Sequence, residues 1–258
     1  MSGIAPLLPE GYRLLRYDTI GSTNDTAKAL ARAGAAEGTL VWAGEQTAGR
    51  GRRGRGWVSP AGNLYLSLIT RPAVVPARAA QLGFVAALGL AEAIGALCGV
   101  ALEVRCKWPN DILVAGRKLA GLLLESELTD RGAMDFVVIG AGANLASQPS
   151  GVEYPATSLA EQGFPGIGPE QLLQAYVRRF DSWARIWRNE GFAPIRGAWL
   201  ARAAGLGKDI LVRLEKATLF GRFLDLDDDG ALLIGTVEGP RRIAAGEVFP
   251  AAGCPAFR

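Results

Sequence analysis

The 258-residue chain contains no histidine. That excludes a histidine general base, a Ser–His–Asp triad and any histidine-ligated metal. The chemistry must therefore use Lys, Arg, Asp, Glu, backbone amides or a hard cation. Cysteine is scarce: Cys98, Cys106 and Cys254 stand without a CxxC spacing, and read as reduced intracellular thiols rather than a disulfide framework. No apolar run is both long and unbroken. The longest, near Leu82–Val100, is interrupted by Gly83, Gly89, Glu92, Gly95 and Gly99 and reads as a buried helix, not a membrane span. Met1–Glu10 shows no basic segment leading into an apolar one, so no signal peptide and a cytoplasmic location are expected. A broad basic field is missing too. Net charge is only +3, and four of the 28 basic residues sit in one loop, which argues against general nucleic-acid coating.

What is present is an ordinary globular composition, 49% hydrophobic and 21% charged, able to build a core without disulfides. The length suits one large domain, or a large one with a small one. Alternating or β-branched runs predict strands at Tyr12–Ile20, Leu40–Glu45, Asn63–Thr70, Leu102–Trp108 and Phe136–Leu145. A hairpin is expected from Ile112–Val114 and Leu119–Glu127 around the turn Ala115–Lys118. Helices are expected at Thr26–Gly34, capped by a side-chain oxygen of Ser22 or Asn24, and at Arg78–Cys98, Pro169–Arg188 and Phe192–Ala204. This is not a βαβα alternation, so the reading is α+β with a mixed sheet. After Gly205-Leu206-Gly207 the texture changes to four short strand-like runs, Ile210–Leu214, Ala217–Leu226, Ala231–Thr236 and Arg241–Val248, which suggests a small β-barrel. The expected division is residues 1–206 and 207–258. Asp227–Asp229 reads as a solvated turn, since it lacks calcium-loop spacing.

Residues 49–57, Gly-Arg-Gly-Arg-Arg-Gly-Arg-Gly-Trp, are the strongest chemical signal. Arginine forks fit phosphate and carboxylate oxygens, and glycines let the backbone approach a ligand. The segment is expected to be a loop ordered by an anion: a nucleotide phosphate, a nucleic-acid backbone or a sulfate. Three further segments are weak one by one. Gly21-Ser22-Thr23-Asn24 lies between a strand and a helix, and is an N-cap or a polar ligand cluster. Lys107-Trp108-Pro109-Asn110-Asp111 brings a lysine, an amide and a carboxylate out of a sheet edge together. Arg117-Lys118-Leu119-Ala120-Gly121 offers a turn lysine, solvated or aimed at an anion, with Gly121 permitting close backbone approach.

Taken in order, S-T-N, Q-T-A-G-R-G-R-R-G-R-x-W, K-W-P-N-D, R-K-L-A-G and a Gly140-x-Gly142-x-Asn144 strand end closely resemble the biotin protein ligases, across nearly the whole chain. The resemblance implies a catalytic domain like that of class II aminoacyl-tRNA synthetases and an SH3-like C-terminal domain. It implies a two-step reaction. Biotin and Mg-ATP form biotinyl-5′-AMP, and the biotinyl group then passes to a lysine of a biotin carboxyl carrier protein, of acetyl-CoA carboxylase or a related carboxylase. Carried over residue by residue, it gives Ser22, Thr23, Asn24 and Gln46 to biotin's polar end. Arg50, Gly51 and Arg52 become a loop over biotin and the adenylate, with Arg55 and Trp57 helping to close it. Lys118, beside Gly121, goes to the biotin carboxylate and the adenylate phosphate, and Asn110 and Asn144 go to the nucleotide. Arg52, Lys118, Lys107 and Asp111 form the expected catalytic set. The roles of Lys107, Asn110 and Asp111 are not divided by sequence; Asp111 either binds Mg²⁺ or orients the acceptor amine. Because the first strand begins by Tyr12, a monofunctional ligase is expected, without a DNA-binding repressor domain or a membrane partner; monomer and homodimer both stay open. Three readings compete. A lipoate or octanoate ligase shares the chemistry, but that family's motif carries a histidine. An acyltransferase using Cys106 lacks a base other than Lys107. An RNA-binding protein using the arginine loop leaves the other three motifs unexplained.

Overall fold

Strand β1 (Arg13–Ile20) and strand β2 (Thr39–Gln46) run parallel, joined by helix α1 (Thr23–Arg32). This computed structural model describes residues 7–251, so Cys254 and the start of the Met1–Glu10 segment lie outside the described residues. Strand β3 (Leu64–Thr70) pairs antiparallel with β2. Two helices follow, α2 (Pro76–Ala80) and α3 (Leu82–Cys98), then β4 (Val104–Lys107), β5 (Asp111–Val114), β6 (Arg117–Leu128) and β7 (Met134–Ala143). These strands complete a seven-stranded sheet ordered β1-β2-β3-β7-β6-β5-β4. Only β1 and β2 are parallel, so the sheet is mixed and the α+β reading holds.

The alternation of side chains along each strand assigns the two faces. Leu40, Leu66, Leu68 and Leu122 point into the main core, under α3 and α4 (Pro169–Glu190). Val41, Ile69, Phe136 and Val138 point the other way, against Ala27 and Ala31 of α1. On that second face α1 covers only part of the sheet. Farther along, β6 and β7 present Leu123 together with Gly121, Gly140 and Gly142, and the three glycines make a floor without side chains.

Several local expectations need correction. The helix after β1 begins three residues early, and neither Ser22 nor Asn24 caps it through a side chain; the Asn24 amide is held instead by Ser67 and Glu125 across the sheet. Strand β3, expected as a strand, is buried along its whole length because α1 and α4 cover opposite faces. The Arg78–Cys98 helix starts at Pro76 and is broken at Gln81, whose side chain accepts from Trp187 Nε1 at 2.9 Å and donates to the Asp228 carbonyl at 3.1 Å. The stretch Pro76–Ala101 is long and apolar enough to cross a membrane by composition, yet α3 packs inside the protein against α4, α5 (Ala193–Leu200) and the sheet. The hairpin turn is only Ala115-Gly116, both at positive φ, so Arg117 and Lys118 lie in β6 rather than in the turn.

The C-terminal sheet has five antiparallel strands: β8 (Asp209–Arg213), β9 (Thr218–Leu226), β10 (Leu232–Thr236), β11 (Gly239–Ile243) and β12 (Glu247–Pro250), ordered β11-β10-β9-β8-β12. The fourth sequence run, Arg241–Val248, is therefore two strands. The chain crosses from one edge of the sheet to the other through residues 244–246, and that crossing brings Val248 of β12 within hydrogen-bond reach of Lys107 of β4.

Candidate active site

A cavity of about 280 Å³ opens over the glycine floor. Every residue that the resemblance assigns to the site lines it: Ser22, Thr23, Asn24 and Gln46 at one end; Arg50, Gly51, Arg52, Arg55 and Trp57 from the arginine loop; Lys107, Asn110, Asp111, Lys118, Gly121 and Asn144 toward the other end. Strand ends and turns put them there. β1 ends at Ile20 just before the Ser22–Asn24 cluster, and β2 ends at Gln46 before the arginine loop.

The polar end is fixed by its own hydrogen bonds. Gln46 Oε1 accepts from the Thr23 amide at 2.8 Å and the Thr23 hydroxyl at 3.0 Å, and Gln46 Nε2 donates to Ser59 Oγ at 3.0 Å. The arginine loop folds back on itself through Gly51 N to Arg55 O at 2.7 Å and Trp57 N to Gly49 O at 2.9 Å, with Arg53 and Gly54 at positive φ. Its arginines have different partners. Arg50 forks onto Asp25 of α1 and reaches Glu125 at 3.4 Å. Arg55 pairs with Glu247 of β12 at 2.5 and 3.2 Å. Arg52 has only neutral partners among the described residues, Asn110 Oδ1 at 3.4 Å and the Gly246 carbonyl at 3.3 Å. Burial and neighbouring Arg53 lower its pKa from the usual arginine value, but an arginine stays charged. A half-buried cation without a carboxylate partner is a prepared anion site.

At the far end Asp111 bridges two ammonium groups, Lys107 at 2.8 Å and Lys118 at 2.5 Å. Burial opposes its charge, and the two lysines more than offset that, so its pKa is held well below the usual carboxylate range. Lys107 Nζ also donates to the Val248 carbonyl at 3.3 Å and lies 4.4 Å from the Tyr154 ring centre and 5.7 Å from that of Phe249. Lys118 Nζ is 5.3 Å from the Trp57 ring centre. Trp57 packs against the floor: a Cβ added to Gly142 would fall 2.7 Å from the indole, and one on Gly121 3.3 Å from it. Gly142 is therefore required by close approach rather than by backbone conformation, and Gly121 is tightly packed.

Residues 17–144 match the family described as biotin/lipoate A/B protein ligase family, and residues 205–249 match the biotin protein ligase C terminal domain. The biotin--[acetyl-CoA-carboxylase] ligase of Paracoccus denitrificans is 46% identical over 233 residues, covering 88% of this chain and 96% of that protein. The chain belongs to the biotin protein ligase family. The bifunctional ligase/repressor BirA of Bacillus subtilis is 36% identical to this ligase over 92% of the chain and 74% of BirA. In structure, the Aquifex aeolicus biotin protein ligase in complex with biotin and ATP has a TM-score of 0.78 and 27% identity over 92% of this chain and 97% of that one. The Leishmania major enzyme in complex with biotinyl-5-AMP has a TM-score of 0.63 and 27% identity, covering 92% of this chain and all of that one, 100%.

Sequence reasoning missed several residues that line the cavity or stand behind its wall. Glu125 lies on the same face of β6 as Gly121 and Leu123, so the period of two carried a signal for it. Tyr154 belongs to a segment between β7 and α4 without helix or strand, and Glu247 and Phe249 arrive from β12; nothing local marks them. That segment is pinned to β6 through Lys118 N to Pro155 O at 2.8 Å and Thr157 N to Lys118 O at 2.9 Å. Cys106 is fully buried, and burial pushes its thiol pKa up to about 12. It is an inert core thiol rather than a nucleophile.

Proposed function

We propose that this chain is an ATP-dependent ligase that activates biotin as biotinyl-5′-AMP and transfers the biotinyl group to a lysine of a biotin carboxyl carrier protein. The observation that carries this reading is one continuous cavity. It joins a neutral hydrogen-bonding end at Ser22–Asn24 and Gln46 to a cationic stretch containing Arg52 and Lys118. Such a cavity suits a ligand with a polar uncharged ring and an anionic tail that meets a second anion. Ser22, Thr23, Asn24 and Gln46 hold the ring. Arg50, Gly51 and Arg52 cover the chain and the adenylate, Arg55 helps to close the roof, and Trp57 packs against Gly121 and Gly142 of the floor. Lys118 meets the carboxylate and the α-phosphate, and Asn110 and Asn144 contact the nucleotide.

In the first step a carboxylate oxygen of biotin attacks the α-phosphorus of ATP, and pyrophosphate leaves. In the second the carrier lysine's amine attacks the acyl carbon, and AMP leaves. The substrate's own carboxylate is the first nucleophile, so a chain without histidine can do the work by positioning and by charge stabilisation. Asp111 stays ionised and is a weak base, because two ammonium groups hold its pKa down. With both oxygens facing lysines, it does not fit a protein-held Mg²⁺ either. We assign it to orienting Lys107 and Lys118, and magnesium to the substrate Mg-ATP, held mainly by phosphates.

We also propose a division between the catalytic and C-terminal units at residues 206 and 207, a choice supported by the start of β8 at Asp209. We further propose that this ligase acts in the cytoplasm and binds no operator DNA. Arg50 and Arg55 in its most basic loop are paired with Asp25 and Glu247, and a gel shift with biotin and ATP present is the check. The test of the main reading is incubation with biotin, Mg-ATP and an apo carrier domain. The expected outcome is one biotin per carrier on a single lysine by mass spectrometry, with no labelling when lipoate replaces biotin. Labelling by lipoate, or none by biotin, overturns it.

A further inference from the structure

Glu125 lies outside the cavity wall, yet three donors from two separate elements converge on it. Asn24 Nδ2 donates to Glu125 Oε2 at 2.8 Å, Lys28 Nζ to Oε1 at 2.8 Å, and Arg50 Nη2 approaches Oε2 at 3.4 Å. Asp25 closes the circuit, forking onto Arg50 and lying 3.3 Å from Lys28. The result is a ring of four alternating charges, Lys28–Glu125–Arg50–Asp25, that ties α1 and the start of the arginine loop to β6. A network of this kind constrains geometry more than an isolated surface pair.

The ring also determines what Asn24 offers a ligand. Its Nδ2 donates to Glu125 and, at 3.4 Å, to the Leu123 carbonyl, while its Oδ1 accepts from the Ser67 hydroxyl at 2.6 Å. An ionised carboxylate only accepts, so it holds the amide with nitrogen toward β6. The capacity left on Asn24 is the second lone pair of Oδ1, an acceptor suited to a ligand N–H.

We propose that Glu125 is a positioning residue for ligand selection. Through Asn24 it makes the polar end an acceptor for a ring N–H, and through Arg50 it clamps the arginine loop to α1. This deepens the biotin-ligase reading and rests on it: the cyclic urea of biotin carries ring N–H groups, whereas a dithiolane or an alkyl chain has none.

The test compares Glu125→Gln and Glu125→Ala with wild type and with Glu127→Gln. Glu127 pairs with Arg32 one turn away along α1 and serves as control. Glutamine keeps the shape but loses the charge and can present either end of its amide. In biotin-dependent ATP–pyrophosphate exchange, both Glu125 variants are expected to raise the KM for biotin by about tenfold or more, the weight of a lost charged hydrogen bond, with the KM for ATP within about twofold. In ligand-free protein, trypsin is expected to cut within Arg50–Arg55 several-fold faster in both, and Glu127→Gln to change neither readout. A wild-type biotin KM and cleavage rate in Glu125→Gln overturn the proposal, as does a fall in kcat alone. Wild-type protein without biotin-dependent exchange would overturn the functional reading instead, and the cleavage comparison, which needs no ligand, would still decide the clamp.

Discussion

Replacing Lys118 by alanine is expected to slow formation of the adenylate by about ten- to a hundredfold, because a hydrogen bond to a charged group contributes about 1.5–3 kcal/mol. The magnitude follows from how the side chain is held. Lys118 sits in β6 with its backbone fixed on both sides, paired with Leu113 of β5 and bonded to Pro155 and Thr157 of the covering segment. Its ammonium is aimed by Asp111 and overlooks the Trp57 ring. The charge is therefore in place before any ligand arrives and costs little reorganisation in the reaction. Its side chain is 25% exposed, and Asp111 keeps Lys107 as a partner, so the fold is expected to survive the change. Single-turnover formation of biotinyl-5′-AMP, with a thermal melt alongside, separates the two effects. A wild-type rate in Lys118→Ala would remove this lysine from the site.

Asp111→Ala is expected to act on both stability and activity. Asp111 stands between two ammonium groups, and the Lys107 side chain is only 5% exposed. Taking away one member of a buried ion pair leaves an uncompensated charge and costs about 3–5 kcal/mol. That is a large share of a typical folding free energy. It also frees both lysines that the carboxylate aims, so activity is expected to fall even where the variant folds. Asp111→Asn keeps the shape and isolates the charge. The pH dependence has a definite sign. Because the folded-state pKa is depressed, the contribution of Asp111 is complete above its unfolded value of about 4 and is lost as the pH drops below it. Denaturant melts from pH 7 down to pH 3 are expected to show wild type losing more stability than either variant. Parallel curves would mean that the carboxylate is not held between the two lysines in solution.

Much of the site was legible because its chemistry is concentrated in short segments at strand ends. Ser22–Asn24, Gln46, the arginine loop, Lys107–Asp111 and Lys118–Gly121 each sit within a few residues of a strand boundary, and turn chemistry is written locally. Lys118 was placed in a turn because Ala115-Gly116 is not one of the usual Asn-Gly or Asp-Gly signals for a two-residue hairpin, although both residues adopt positive φ. The missed partners are those joined only by the fold. Glu247 meets Arg55 across 192 positions of sequence, and Glu125 meets Asn24 across 101. Local patterning reports which face a residue takes, not what lies opposite. The same limit explains the split of Arg241–Val248 into strands on opposite sheet edges.

The most direct test of the account is ATP–pyrophosphate exchange by the full chain, run in parallel with biotin, lipoate and octanoate. It reads the adenylation step alone, without any carrier protein. Exchange that depends on biotin, and is absent with the other two acids, is the predicted result. Exchange with lipoate or octanoate and none with biotin would keep the fold and the anion chemistry but contradict the assignment of the polar end to biotin. No exchange with any of the three would contradict the adenylating function itself.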